Sequence, residues 1–194
     1  MARPREFDEE HVLEAVMERF WTAGFERTSA QDLVDATGLG RGSLYAAYAS
    51  KEGLFEQALL RYRKRARAHV DKLDAEPSAI KALRILMTDV VDADLPRPHP
   101  RGCLATNSAI EMAAHNPRIA ELVRENFGIL RRGIEGTMRR GQATGELSSN
   151  RDAAALAMFV FTAIQGLRVM ARALKADDRQ SLFSVIEQTL LALR

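Results

Sequence analysis

Between Gly24 and Phe55 the chain reads GFERTSAQDLVDATGLGRGSLYAAYASKEGLF, and its closely spaced glycines leave room only for very short helices. Glycine takes the left-handed conformation past a last helical turn at little cost, so Gly24 and Gly38 read as helix stops. Between them Thr28 serves as N-cap, with Gln31 three residues on completing a capping box, and Leu33, Val34 and Ala36 form the apolar side. A second short helix starts at Arg41, where Leu44 and Tyr48, four apart, share a buried face and turn Ser43 and Tyr45 outward. Helices of about two and a half turns are marginal alone. They need a support, and the preceding segment offers one: Val12, Leu13, Val16, Met17, Phe20 and Trp21 recur at three- and four-residue spacing behind an acidic start at Asp8, Glu9 and Glu10. The outline is a helix-turn-helix of three helices.

The rest of the chain is also helical in pattern. Ser50 caps a helix carrying Leu54, Phe55, Ala58, Leu59 and Tyr62 and running to about Leu73. Its Arg61 to Arg67 run is the densest positive stretch, readable as a solvated helix face or as a nucleic-acid contact. After Pro77 comes a helix over 79–91, then a proline loop, DADLPRPHP, over 92–100. Helical pattern resumes over 103–115, stops at Asn116-Pro117 and runs again over 118–142, with Ile119, Leu122, Val123, Phe127, Leu130, Ile134 and Met138 on one side. A turn at GQATGEL precedes two last helices, over 151–173 and 179–193. The first is apolar on most of its circumference, a pattern that requires cover on all sides. With little chain left to supply it, a second copy is the economical cover. The first seven residues, with two arginines and a proline, read as a flexible arm. No stretch alternates as a strand does, so the expectation is an all-α protein: a helix-turn-helix module over 1–50, a connecting helix over 51–75 and a helical body over 76–194.

With 46% hydrophobic residues the chain can bury an ordinary core, and a net charge of +2 neither requires nor excludes a polyanion partner. No signal peptide pattern opens the sequence, and its single cysteine, Cys103, has no internal partner, in keeping with a reducing cytoplasm.

Residues 20 to 59 resemble the DNA-binding module of the TetR family of transcriptional regulators. The matching positions are Gly24-Phe25, Thr28-Ser29, Asp32-Leu33, Gly38-Leu39, Arg41-Gly42, Tyr45, Tyr48 and Lys51-Glu52-Gly53-Leu54. Farther on, Arg101-Gly102-Cys103-Leu104, Asn107, Glu111, Gly145-Glu146-Leu147 and Gln165-Gly166 resemble one branch of that family. The resemblance implies that Thr28, Ser29, Gln31, Arg41, Gly42, Ser43, Tyr45, Ala46, Ala47 and Lys51 face double-stranded operator DNA. Thr28 would offer its hydroxyl and backbone N–H to a phosphate, Tyr45 a phenolic donor and Lys51 a point charge, while Arg41 and Ser43 reach bases or backbone. Ordinary capping and solvated roles account for the same residue types. Two positions depart from the family pattern: Gly40 stands where a serine or threonine cap is common, and Ala46-Ala47 replace an aromatic and a polar reader. Alanine offers only a methyl group to a base, so readout would rest on Arg41, Ser43, Gln31 and DNA shape.

The resemblance further implies a homodimer through the last two helices and a small-molecule inducer bound in the helical body, with no cofactor. Cys103, Met112, Phe127, Met138, Met158 and Phe161, with Met87 and Met170, are the candidate lining, and the same residues also suit a plain core. Cys103, at a helix start and two residues from Arg101, is a candidate sensor of electrophiles or oxidants, or a small buried residue. An enzyme using Cys103 with His99 or His115 is the alternative, but no third group or oxyanion site accompanies them. The same three residues lack the spacing of a usual metal site.

Overall fold

The computed structural model describes residues 7–95 and 99–194; the expected arm over 1–7, save Phe7, and Pro96–Pro98 of the expected loop lie outside the described residues. Among those described, the structure is helical without strands: α1 (Glu9–Ala23), α2 (Ala30–Thr37), α3 (Arg41–Tyr48), α4 (Lys51–Ala75), α5 (Ala79–Asp94), α6 (Leu104–Glu111), α7 (Pro117–Ala143), α8 (Ala153–Ala173) and α9 (Arg179–Leu191), with a 3-10 turn over Ala176–Asp178. Helix α5 runs three residues past the expected start of the proline loop, and Asp94, at its end, is buried. Its carboxylate accepts from the backbone N–H groups of Arg101 (2.8 Å) and Gly102 (3.0 Å), which lets the chain turn without leaving those donors unmet.

Two compact units emerge. One comprises the described part of Met1–Arg63 together with Leu104–Arg124; the other comprises Lys64–Cys103 and Glu125–Arg194. The first is built on Phe20, Phe25 and Phe55. The Phe20 and Phe55 rings meet edge to face at 4.9 Å, and Phe25 meets Phe55 at 5.1 Å. Val12, Val16 and Met17 of α1 and Leu33, Leu44, Tyr48, Leu54, Ala58 and Leu59 complete this core. Arg61, first of the basic run, is occupied in it: its guanidinium pairs with Glu14 at 2.5 Å and Glu10 at 3.3 Å, both on α1. That residue therefore fastens α4 to α1.

The second unit has α5, α8 and α9 at its centre, with Leu83, Met87, Val91, Ile134, Met138, Ala157, Val160, Ile164 and Ile186 buried among them. The GQATGEL turn has a clear structural purpose here. Gly145 takes φ 74°, and the Glu146 carboxylate then accepts from Ser78 Oγ (2.5 Å) and from the N–H groups of Ala79 (2.6 Å) and Ile80 (3.1 Å), capping α5. Burial alone would raise the Glu146 pKa, but these donors hold it below the ordinary value. Helix α8 is long and apolar enough to cross a membrane by length and composition, yet one side of it packs into this core while Met158, Phe159, Val169 and Met170 are exposed.

Candidate nucleic-acid interface

The helix-turn-helix is set by caps. Asp8 accepts from the N–H groups of Glu10 and His11 to start α1, and Gly24, at φ 86°, ends it. The start of α2 corrects the sequence reading. Ser29, not Thr28, is the N-cap, and it forms the capping box with Asp32 rather than with Gln31: Ser29 Oγ accepts from Asp32 N at 3.1 Å, and Ser29 N donates to Asp32 Oδ2 at 2.8 Å. Thr28 is fully buried, its hydroxyl donating to the Gly24 carbonyl at 2.6 Å. That hydroxyl is committed to the turn. Asp32 also pairs with Arg19 of α1 at 2.7 Å. The backbone and side-chain hydrogen bonds of Ser29, then Arg19, draw the Asp32 pKa down to about 2.

Gly38, at φ 69°, ends α2, and Gly40 begins α3 with no side-chain cap. Leu44 and Tyr48 are buried as their spacing predicts, which leaves Arg41, Gly42, Ser43 and Ala46 exposed and Tyr45 and Ala47 half-buried. The Arg41 guanidinium lies 5.6 Å from the Tyr45 ring centroid. Gln31, exposed on α2, donates to Asp35 at 2.7 Å. Ser29, at the N-cap of α2, Gln31 on α2 and Arg41, Gly42, Ser43 and Ala46 on the adjoining α3 are thus exposed, with Tyr45 and Ala47 half-buried.

The junction with α4 is tight. Ala49 takes φ 66° and ψ −49°, and Ser50 N donates to the Tyr48 carbonyl at 2.8 Å, a γ-turn of the rare positive-φ kind. Ser50 Oγ then caps α4 by accepting from Gly53 N at 3.1 Å. Lys51, in the first turn of α4, holds its ammonium 4.3 Å from the Phe25 ring centroid, so a cation is fixed at a helix end that itself favours anions.

The expected ligand lining divides between the two units. Met112 belongs to the first unit, while Cys103, Phe127, Met138, Met158 and Phe161 belong to the second. Phe127 and Phe161 meet edge to face at 5.3 Å, and Met138 is fully buried in the same core. Met158 and Met170 do not line the interior: both point outward from α8. An all-round apolar helix does not reveal which stripe faces the core, which is why the sequence misplaced them. Cys103 is buried, immediately before α6.

Sequence reasoning also missed a contact. Glu111, the last residue of α6, accepts from the N–H groups of Phe25 (2.9 Å) and Glu26 (2.8 Å) in the turn between α1 and α2. No local pattern relates positions so distant in the chain.

Residues 12–58 match the family described as bacterial regulatory proteins, tetR family, and residues 79–184 match the tetracyclin repressor-like C-terminal domain. The chain is 33% identical over 172 residues to the HTH-type transcriptional repressor ComR of Escherichia coli (strain K12), covering 88% of this chain and 82% of that one. It is 32% identical over 181 residues to the HTH-type transcriptional regulator YezE of Bacillus subtilis (strain 168), covering 92% and 93%. Among solved structures, a cysteine-substituted form of the TetR family transcriptional regulator CifR, complexed with a 26-bp double-strand operator DNA, superposes with a TM-score of 0.84 at 34% identity over the full length of both chains. With both halves of the sequence matched and the helix-turn-helix in place, the chain belongs to the TetR family of transcriptional regulators.

Proposed function

We propose that this protein is a transcriptional repressor that binds a palindromic operator as a homodimer and is released by a small-molecule inducer. The observation that carries the reading is the exposure of Gln31 on α2 and of Arg41 and Ser43 on the adjoining α3, with Arg41 over the Tyr45 ring and Lys51 fixed at the start of α4. A second short helix of this kind enters a major groove, and flanking donors fix its register on phosphates. ComR is a named repressor, and CifR is complexed with operator DNA; both support the same role here. Ala46 and Ala47 restrict base readout to methyl contacts at those positions, so Arg41 and Ser43 carry hydrogen-bonded readout. Thr28, its hydroxyl turned inward, supports the turn rather than a phosphate.

The dimer forms through α8 and α9. On α8 the exposed residues Met158, Phe159, Thr162, Gly166, Val169 and Met170 follow one helical stripe, and Val185 and Leu191 are exposed on α9. A Cβ on Gly166 would meet only open space, a gap that lets a partner helix approach closely. Residues 1–50 then act as the output module, 51–75 as the connecting helix and 76–194 as the receiving body, in the cytoplasm. The inducer binds among aromatic and sulfur side chains such as Phe127, Phe161 and Met138, and an electrophile or oxidant reacts at Cys103, which follows Arg101 and Gly102 at the start of α6. Cys103→Ser tests the last point: derepression by electrophiles should be lost, and unchanged derepression contradicts thiol sensing.

A further inference from the structure

We infer that Glu111, which lies far outside the helix-turn-helix in sequence, is a positioning residue for DNA binding. The turn from Gly24 to Thr28 meets some of its polar groups within itself or at the end of α1. Gly24 N donates to the Phe20 carbonyl at 2.8 Å, Thr28 N to the Phe25 carbonyl at 3.2 Å, and the Thr28 hydroxyl to the Gly24 carbonyl. The N–H groups of Phe25 and Glu26 find their acceptor elsewhere, in the two oxygens of the Glu111 carboxylate. Charge-assisted bonds to two successive amides fix both the position and the orientation of a turn. Gly24 makes room for this clamp: a Cβ there would stand 3.1 Å from Glu111 Oε2, and the φ of 86° already favours glycine.

What the clamp holds is the operator-facing surface. Ser29 and α2 follow within a few residues of the clamped amides, and the side chain of Phe25 packs against both Phe20 and Phe55 while carrying the Lys51 ammonium on its ring. A turn released from Glu111 would shift the start of α2 and the seat of Lys51 together. Glu111 also ends α6, whose eight residues begin directly after Cys103, and on the other side of Cys103 the amides of Arg101 and Gly102 are held by Asp94. The segment matched to the family's C-terminal domain therefore lends a residue to the unit that contains the helix-turn-helix.

The inference rests on DNA binding through α2 and α3, and its test separates the two ideas. The full-length protein first selects its operator from genomic DNA; Glu111→Ala and the near-isosteric Glu111→Gln are then titrated on that operator at several salt concentrations. Hydrogen exchange is followed at the Phe25 and Glu26 amides. The expected result is an operator affinity about 10- to 100-fold weaker for the alanine variant and a smaller loss for glutamine. Circular dichroism stays as in the parent, both amides exchange faster, and the salt slope is unchanged because no phosphate contact is removed. Affinity within twofold of the parent in a folded variant, or unchanged amide exchange, overturns the inference. A slope reduced by about one also overturns it, since Glu111 would then be altering a phosphate contact. If the alanine variant does not fold, glutamine carries the same comparison. A parent protein that selects no operator contradicts the DNA-binding reading instead, and the exchange measurement still judges the clamp.

Discussion

The carbonyl oxygen of Tyr48, the last residue of α3, lies so close over Gly53 in the first turn of α4 that a methyl group at Gly53 would overlap it. The γ-turn at Ala49 folds the chain back and brings the two residues together, so α3 and α4 are joined with almost no slack. Gly53→Ala should destabilise the protein by about 1–3 kcal/mol, as overpacking typically does, and weaken operator binding by displacing α3. Thermal melts and operator titrations check both effects. An unchanged melting temperature with unchanged affinity would show that the junction yields freely.

Ala49 stands in the positive-φ γ-turn conformation, which costs a non-glycine residue about 1–3 kcal/mol. Glycine removes that cost and adds about 0.5–1 kcal/mol of chain entropy to be lost on folding. Ala49→Gly is therefore expected to stabilise by about 0.5–1 kcal/mol, read as a higher denaturation midpoint with the same denaturant dependence.

Lys51 is held on Phe25 at the N-terminus of α4, and the proposed role for it is a phosphate contact rather than a base contact. Lys51→Met should weaken binding to all sequences alike and reduce the salt slope by about one, whereas Arg41→Ala should also relax sequence preference. Equal loss of preference in both variants would contradict this division of labour.

The α8 and α9 face predicts that Val169→Glu or Gly166→Trp gives a monomer, measured by sedimentation, with operator binding lost because two half-sites about 34–36 Å apart must be engaged together. A dimer that persists in both variants places the interface elsewhere.

His69, on α4, has its pKa pushed down to about 4, by burial first and then by the charges of Arg168 and Lys72, with Asp89 opposing and Arg65 adding to the shift. A histidine that stays neutral when folded leaves stability intact above the ordinary pKa of 6.5 and removes it as pH falls from there towards 4, because only the unfolded chain takes up the proton. Between pH 7 and 5 the loss from this group is about 2 kcal/mol. His69→Gln should flatten the pH dependence of the melting temperature over that window. Asp32 acts lower: its folded pKa of about 2 lies under the unfolded value, so its contribution is lost only as pH falls from about 4 towards 2.

The helical elements and the buried pair Leu44 and Tyr48 were legible because helical periodicity and glycine punctuation are local signals. The capping frame was not. Thr28 and Ser29 both begin acceptable capping patterns, and the choice fell to Ser29 because Asp32 is shared with Arg19 on another helix while Thr28 turns back on Gly24. Met158 was misplaced because a core stripe and an exposed apolar stripe look alike on α8. Glu111 stands out in the sequence only as part of a family pattern. Its acceptors' partners, Phe25 and Glu26, come from the far end of the chain, and only tertiary folding brings them together.

The central claim is sequence-specific DNA binding by the α2 and α3 surface. Selection of genomic fragments by the full-length protein at about 0.15 M salt tests it most directly. The account predicts enrichment of a palindrome whose half-sites are about one helical turn apart, or a multiple of it, abolished by Arg41→Ala together with Tyr45→Phe. Recovery of no enriched sequence, or enrichment that survives those substitutions unchanged, would contradict it.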